Sequence, residues 1–462
     1  MFDDKSAVDP TGLRAQIAES LSPEATLAEA IRFEVVLAET QATLGIIPDW
    51  AAGEIARAAR EAPPSVDQVR VHRRRVGHPM VAILEAFSEG LSSEAAEWLH
   101  YGTTTADVFR TVRMVQMHAV AEVFLDALRQ VEAEMADIAR ETRATPMIGR
   151  TLGRHALPIT FGYKVAVWMS ETRRCIDRLA AWRQRYPSGV LSGAVGTHAV
   201  MGRKGREVEI AVMQRLGLGE PGHADSKGST DVFADFGSAL AIAARVFGRI
   251  AQEVFLLQGD DIREVALVSK AVGSSTMPHK SNPTVCIEIM SRSREVAAAL
   301  PVLLEWILII HERDSAQHGA VLEEMCIDMA QVLSCMAGLI RTIQVRPKQM
   351  RQNLLRTKGA ILAENVTVQL AKTIGRRSAH HLMQEVMEQM NAEGATLAEA
   401  LAADPRTKDV SIPKETDAYG QSPELVDLTL ADLGYEAKDS GSTAEFCTRE
   451  RTRRCDASPE FS

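Results

Sequence analysis

The chain has few aromatic residues and no cysteine spacing typical of a metal site. Only 5% of its 462 residues are Phe, Trp or Tyr, and a chain poor in aromatics but rich in Ala and Leu favours packed helices over a β-sandwich. The six cysteines are scattered, without a CxxC pair or a Cys/His cluster. We therefore expect free thiols in a reducing cytoplasm, and neither a bound metal nor another cofactor.

Two further absences limit the possible partners. A net charge of -9 offers no basic surface for nucleic acid, although a local cationic site can still hold a small anion. No uncharged apolar run reaches the roughly 20 residues of a membrane span, since the best candidate, residues 296–310, contains Pro301 and Glu305. The acidic N-terminal sequence also lacks an apolar signal core. These features predict a cytoplasmic protein that binds neither nucleic acid nor membranes.

Helical periodicity is the main structural signal. Apolar residues recur at three- and four-residue spacing over 26–60. Further long helices are expected over 108–142, 229–258, 283–317 and 322–342, and another is expected to end near 185. No strong strand pattern is visible, and residues 145–168 resemble a loop that leads into a helix. The fold class predicted is all-α, with an N-terminal helical domain (1–107), a central long-helix bundle (108–346) and a C-terminal helical domain with a polar tail (347–462). The central helices are long and apolar on most faces, so they suit a bundle shared between subunits.

Three segments combine small residues with polar, chemically useful side chains. They are HYGTTTAD (100–107), GRTLGRHALPITFG (149–162) and GSSTMPHKSNP (273–283). Each alone could be a capped helix start, but the third is richer in functional groups. Lys280 offers a point charge for a carboxylate, Asn282 offers a directional donor, and a serine among backbone N–H groups could act as a general base. No GxSxG elbow is present, which disfavours a hydrolase nucleophile. There is also no P-loop and no GxGxxG that follows a predicted strand.

GSSTMPHKSNP resembles the signature loop of the fumarase/aspartase superfamily, with the pattern G-S-S-x-M-P-x-K-x-N-P complete. HYGTTTAD, GRTLGRHALPITFG, SGAVGT (192–197) and NLLRTKGAILAENV (353–366) resemble further stretches of that superfamily, mainly of its adenylosuccinate lyase and 3-carboxy-cis,cis-muconate cycloisomerase branch. The resemblance implies a three-domain, all-helical protomer and a homotetramer whose active sites are shared by three protomers. It also implies anti elimination from a small succinyl-type dicarboxylate, with fumarate as a product.

The resemblance assigns roles to individual residues. Ser274 would be the base that removes the Cβ proton, while Lys280 and Asn282 would hold a carboxylate and the aci-carboxylate intermediate. The other expected substrate-binding residues are Thr104, Thr105, Thr151, Ser275 and Met277.

Two departures from the superfamily pattern concern the acid. Many of these lyases have R-T-H where this chain has Arg150-Thr151-Leu152, and a glutamate that pairs with that histidine where this chain has Ile287. The cycloisomerase branch also lacks the pair. An amine leaves poorly without protonation, whereas carboxylate or nitrite leaves as an anion. Three interpretations follow. The substrate is a small dicarboxylate with a good leaving group, or the reaction interconverts a lactone/muconate-type pair. In the third, His155 or His78 supplies the acid instead. Either histidine could instead have only a surface or packing role.

These observations leave several functions open. The favoured one is a lyase that acts on an N-substituted aspartate or a nitrosuccinate-like substrate. A 3-carboxy-cis,cis-muconate cycloisomerase comes second. Adenylosuccinate lyase and an inactive structural homologue are less favoured, the latter because Ser274, Lys280 and Asn282 are all present.

Overall fold

Long helices make up most of the structure, a computed structural model that describes residues 11–224, 228–267, 277, 281–312, 319–407 and 410–435. The prediction of an all-α protein is confirmed. The helices are α1 (Leu13–Ser20), α2 (Pro23–Thr43), α3 (Asp49–Glu61), α4 (Val66–Val76), α5 (Pro79–Ser88), α6 (Ser93–Ala96), α7 (Thr105–Glu141), α8 (Phe161–Arg185), α9 (Gly205–Arg215), α10 (Asp231–Leu257), α11 (Thr284–Glu305), α12 (Gly319–Thr342), α13 (Pro347–Leu355), α14 (Ala363–Ile374), α15 (Arg376–Glu393), α16 (Leu397–Ala403) and α17 (Ser422–Asp432).

Two short antiparallel sheets interrupt the helices, and the sequence did not reveal them. Strands β1 (Pro146–Thr151) and β2 (Arg154–Thr160) form a hairpin, and β3 (Val265–Leu267) pairs with β4 (Ile343–Val345). The segment expected to be a loop is therefore mostly a hairpin. Leu152 and Gly153 connect its strands, with φ of 50° and 73°. Positive φ at both central residues is what a tight two-residue hairpin turn requires.

The bundle is built from α7, α8, α10, α11 and α12, and α10 and α11 run antiparallel. Gly248 of α10 packs directly on Ser293 of α11, since a Cβ at residue 248 would lie 2.4 Å from the Ser293 hydroxyl. At the other end of this pair, the Thr230 hydroxyl donates to the Trp306 carbonyl at 2.6 Å, and Phe233 stacks on the Trp306 ring. This anchor coincides with the end of α11 at Glu305, so the helix expected to reach about residue 317 is shorter.

The core of the described residues consists of two hydrophobic clusters. The larger joins the N-terminal helices to the bundle, with Trp168, Phe236 and Phe247 among its buried side chains. The smaller combines Ile148 of β1 with residues 354–401. Among the described helices, none is both long enough and apolar enough to cross a membrane.

A buried ion pair joins the hairpin to the α10–β3 connection and to α13. Arg150 on β1 makes two 2.8 Å bonds to Glu264, which is completely buried. Asn353 on α13 donates to the same carboxylate at 3.0 Å and to the Ile262 carbonyl at 2.8 Å. A single carboxylate therefore fixes β1, the end of the α10–β3 connection and α13 together.

Replacing Glu264 with Ala should destabilise the protein by about 3 kcal/mol, because the substitution leaves the Arg150 charge and the Asn353 amide without their buried partner. Urea unfolding at a single protein concentration measures the change. Asp260→Ala is the control, since that side chain is 99% exposed and should shift stability by less than about 0.5 kcal/mol. Equal effects of the two substitutions would contradict the role given to Glu264.

Candidate active site

A buried carboxylate organises the first segment. Thr104 caps the N-terminus of α7 and Thr105 is its first residue. Asp107, which is fully buried, accepts from the Thr104 amide at 3.1 Å. It also accepts from the backbone amides of Ser192 and Gly193 at 3.3 and 3.1 Å. The carboxylate therefore holds HYGTTTAD beside SGAVGT, two motifs separated by more than 80 residues of chain.

Hydrogen bonds from α7 and α9 hold the irregular stretch before Ser192 in place. The Thr111 hydroxyl donates to the Val190 carbonyl at 2.8 Å and accepts from its amide at 3.0 Å. Glu209, nearly fully buried, accepts from the Leu191 amide at 2.9 Å. Gly189 is required here, because a Cβ would lie 2.5 Å from the Thr111 hydroxyl. A rigid backbone thus lies beside the Thr104–Thr105 helix start.

His100, the first residue of HYGTTTAD, was not selected as a candidate by the sequence analysis. Its Nδ1 lies 2.6 Å from Oε1 of Glu34 on α2, whose side chain is completely buried. A buried carboxylate that receives the Nδ1 proton fixes the ring orientation and leaves Nε2 for another partner. His100 also has a left-handed backbone, with φ of 59°. The one signal in the sequence was Glu34, a charged residue within the apolar stretch 33–38, and it does not identify His100 as its partner.

The two histidines proposed as acids lie in different places. His78 caps α5 and is exposed, with its Nδ1 accepting from the Val81 amide at 3.4 Å. His155 lies on β2 opposite Arg150 of β1. Partial desolvation and the Arg150 charge lower the pKa of His155 below its ordinary value.

The second segment exposes its motif residues at the tip of the hairpin. Thr151 ends β1, is exposed and pairs with Arg154. Leu152, the next residue along the hairpin, is fully exposed. A leucine side chain has no proton to donate. At this exposure, no described part of its own protomer covers it.

The third segment lies partly outside the described residues, which exclude Ser274, Ser275 and Lys280. Met277 and Asn282 are described, and the Asn282 carbonyl accepts from the Thr284 amide at the start of α11. Ile287 is half-exposed. The adjacent Glu288 bonds to Arg292 at 2.9 Å, so this carboxylate already has a structural partner.

The structure does not bring the described residues of the three segments together within one protomer. Helix α7 has 37 residues and, at about 1.5 Å per residue, separates Thr105 from the hairpin by roughly 55 Å. Arg150 of the hairpin reaches Glu264 just beyond α10, so the end of α10 lies beside the hairpin. Because α11 runs antiparallel to α10, the start of α11 lies at the same end of the bundle. Thr104 and Thr105 therefore lie at one end, and Thr151, His155 and Asn282 at the other.

His78 belongs to the Thr105 end. Pro79, which follows it, and Phe109, one helical turn beyond Thr105, line the same cavity. One end of the bundle thus presents His78, His100, Thr104 and Thr105.

Comparison with known proteins agrees with this architecture. The family described as Lyase matches residues 6–297. The N-acetyl-S-(2-succino)cysteine lyase of Dickeya dadantii is 32% identical over 369 residues, which are 79% of this chain and 81% of that protein. The adenylosuccinate lyase of Methanocaldococcus jannaschii is 30% identical over 447 residues, or 93% of this chain and 97% of that protein.

A solved structure shows the same fold. The 3-carboxy-cis,cis-muconate lactonizing enzyme from Pseudomonas putida superimposes with a TM-score of 0.84 at 26% identity, covering 92% of this chain and 98% of that one. With the family match over more than half of its length, the chain belongs to the fumarase/aspartase superfamily and is a lyase of that superfamily.

Proposed function

We propose that the protein catalyses anti β-elimination from a small succinyl-type dicarboxylate and releases fumarate and an anionic leaving group. The observation that carries this proposal is Leu152, a fully exposed leucine at the hairpin position where many relatives have an acid histidine. Ile287, at the position of the partner glutamate, is also exposed and apolar. The chain has kept the signature loop for proton abstraction and lacks the usual pair for protonating the leaving group.

The proposed chemistry begins with the removal of the Cβ proton by the Ser274 oxygen. The electron pair moves into the adjacent carboxylate and forms an aci-carboxylate, which Lys280 and Asn282 stabilise. The carbon–leaving group bond then breaks, its electrons depart with the leaving group, and the Cα–Cβ double bond of fumarate forms. Thr104, Thr105 and Thr151 donate to carboxylate oxygens, and Ser275 and Met277 contact the substrate. Donors placed where charge develops contribute most to the rate.

A thioether fits this site better than a secondary amine. A thiol has an ordinary pKa of about 8.5, so a thiolate can depart without being protonated first, whereas an amine leaves poorly as an anion. The Dickeya dadantii relative is named for a succinylated cysteine thioether, which supports a C–S bond as the one broken. A nitrosuccinate-like substrate satisfies the same requirement, and an N-substituted aspartate would need His155 or His78 as the acid.

The complete site is proposed to form in a homotetramer. The roughly 55 Å between Thr105 and the hairpin is too large for one small substrate to contact both. Exposed apolar side chains also follow the central helices, among them Ile242, Phe255 and Leu256 on α10 and Val302 and Leu304 on α11. Burying these faces against other copies of the bundle would place opposite ends of different protomers side by side. In this arrangement domain 108–346 forms the tetramer core.

A second candidate is the 3-carboxy-cis,cis-muconate cycloisomerase reaction, in which a carboxylate adds across a double bond. Two observations favour it: the likeness to the Pseudomonas putida lactonizing enzyme and the absence of the His–Glu pair, a feature shared with that branch. The same loop and the same carboxylate-binding residues would be used.

We place the reaction in the cytoplasm. Cys175, Cys286 and Cys326 are free thiols and are buried, and burial raises the pKa of the Cys286 thiol to about 12. Thiols of this kind are packing residues and are typical of proteins that work in a reducing compartment.

The function is tested with a panel of purified substrates, read by fumarate release. The panel contains a succinylated thiol, nitrosuccinate, adenylosuccinate and argininosuccinate, together with 3-carboxymuconate followed by its own absorbance. We expect turnover of the thioether or nitrosuccinate and a loss of at least about 10³-fold in Ser274→Ala, since the base is removed. Fumarate from none of the substrates would reject the proposal, and activity that survives Ser274→Ala would reject the base.

The pH dependence tests His155 as the acid for an amine leaving group. Only protonated His155 can donate, and its pKa lies below the ordinary value because of partial desolvation and Arg150. The rate on an N-substituted aspartate should therefore fall as pH rises through a value below about 6.5. His155→Gln should abolish this limb, whereas His380→Gln, an exposed residue of α15, should retain it. An unchanged limb in His155→Gln removes His155 from the mechanism.

A further inference from the structure

A second concave site lies beside the Thr105 end of the bundle. An open cavity of about 540 Å³ is lined by residues of α2, α4, α5, the first turns of α7 and Glu323 of α12. Its volume is within the roughly 300–1,000 Å³ typical of small-molecule sites. Its floor is apolar and includes Leu21, Leu27 and Ile83, which are buried, and Val69 and Phe109, which are half-buried. Three arginines of α4 form one wall.

Helix α4 faces this cavity and touches the core at its edge, through the partly buried Val66 and Val69. Val66, Val69, Arg70 and Arg73 follow the i, i+3, i+4, i+7 spacing of a single helical face, and all four line the cavity. None of the residues of α4 is buried. An amphipathic face of this kind normally covers apolar surface, and here it borders an open space.

Ion pairs join α4 to its neighbour α5. His72 lies 3.1 Å from Glu85 and 2.9 Å from Glu89, and Arg75 bonds to Glu85 at 2.5 Å. This ion cluster lies on the α5 side and leaves the opposite face of α4 turned toward α2. The cavity lies between this face of α4 and α2.

The charges around the cavity favour an anion at one end. Arg70 pairs with Asp67, and Glu323, the acidic residue of the lining, pairs with Arg113 at 2.5 Å. Within the described part of the chain, Arg73 and Arg74 have no ion-pair partner. Two guanidinium groups without a carboxylate are suited to bidentate binding of a carboxylate, sulfonate or phosphate.

Carboxylates lie at the opposite end of the cavity. An adjoining cavity of about 390 Å³ shares Leu27, Val66 and Arg70 with the first, and its lining includes Glu24 and Asp67. A second anionic group would be repelled there. The two cavities together fit an elongated ligand with an apolar body and one anionic end.

We propose that this cavity binds an apolar organic anion, with its charged group on Arg73 and Arg74 and its body against Val69, Ile83 and Phe109. Phe109 lies one turn from Thr105 on the same face of α7, and Pro79 directly follows His78. The anion is either the leaving-group part of the substrate, in which case the assignment rests on the proposed function, or a separate ligand of the same chemistry.

Binding is measured with two fluorescent probes that share an apolar body. Anilinonaphthalene sulfonate carries an anionic group, and N-phenylnaphthylamine is neutral. In the full-length protein, Arg73→Gln/Arg74→Gln should raise the dissociation constant of the sulfonate about ten-fold and leave that of the neutral probe unchanged. Arg57→Gln/Arg60→Gln is the matched control, since it removes two exposed charges from α3. Unchanged sulfonate binding, or an equal loss in the control, would overturn the proposal.

A filling substitution tests the apolar floor separately. Val69→Trp should weaken binding of both probes, because the ring occupies the volume that their naphthalene body would take. A circular dichroism spectrum equal to that of the wild-type protein establishes that the variant is folded. Undiminished binding of both probes to folded Val69→Trp would place them elsewhere and overturn the assignment.

Kinetics distinguish the two sources of the anion. Two succinyl thioethers are compared, one releasing mercaptoethanol and the other releasing a mercaptomethylbenzoate. If the leaving group occupies the cavity, Arg73→Gln/Arg74→Gln lowers the ratio of kcat/KM for the benzoate to that for mercaptoethanol about ten-fold. A constant ratio together with weakened sulfonate binding assigns the cavity to a separate ligand. Absence of turnover with both thioethers counts against the proposed function and leaves the binding result intact.

Discussion

The length of one rigid helix determines how this protein can form an active site. Helix α7 carries Thr105 at its first residue and ends five residues before the hairpin that bears Thr151 and His155. A helix of this length keeps its two ends roughly 55 Å apart, and the other bundle helices run alongside it. The first and second motif segments therefore cannot meet unless a second copy of the bundle brings its opposite end alongside. On this view the exposed apolar faces of α10 and α11 contribute to catalysis as well as to assembly.

Buried carboxylates give the two ends of the bundle their defined shape. Asp107 joins the helix start to residues 192–193, Glu34 holds His100, and Glu264 joins the hairpin to α13. Each carboxylate receives donors from segments that are far apart in sequence, so each loop is fixed by contacts whose loss would leave a buried charge unpaired. Rigid positioning of this kind is what preorganised binding of a dicarboxylate requires.

The sequence predicted the helices and the motif segments well, because apolar periodicity and the signature loop are local patterns. The hairpin was missed since its turn is Leu152-Gly153, whereas the strongest hairpin signals are Asn-Gly and Asp-Gly. His100 and the Asp107 junction were missed for another reason. Their partners, Glu34 and Ser192, lie 66 and 85 residues away, and no local pattern encodes such a pairing. The cavity beside α4 was not predicted from the sequence either, because residues 71–78 (VHRRRVGH) have the pattern of an ordinary solvated basic face.

The central claim, that one site uses opposite ends of different protomers, is tested by complementation. Thr104→Val and Ser274→Ala are each prepared alone and each expected to be inactive, and the two are then co-expressed in equal amounts. If a site takes Thr104 from one protomer and Ser274 from another, random assembly leaves both intact in about a quarter of the sites. The account predicts recovery of about a quarter of the wild-type specific activity. A mixture as inactive as the separate variants would contradict it, because each site would then draw both residues from a single chain.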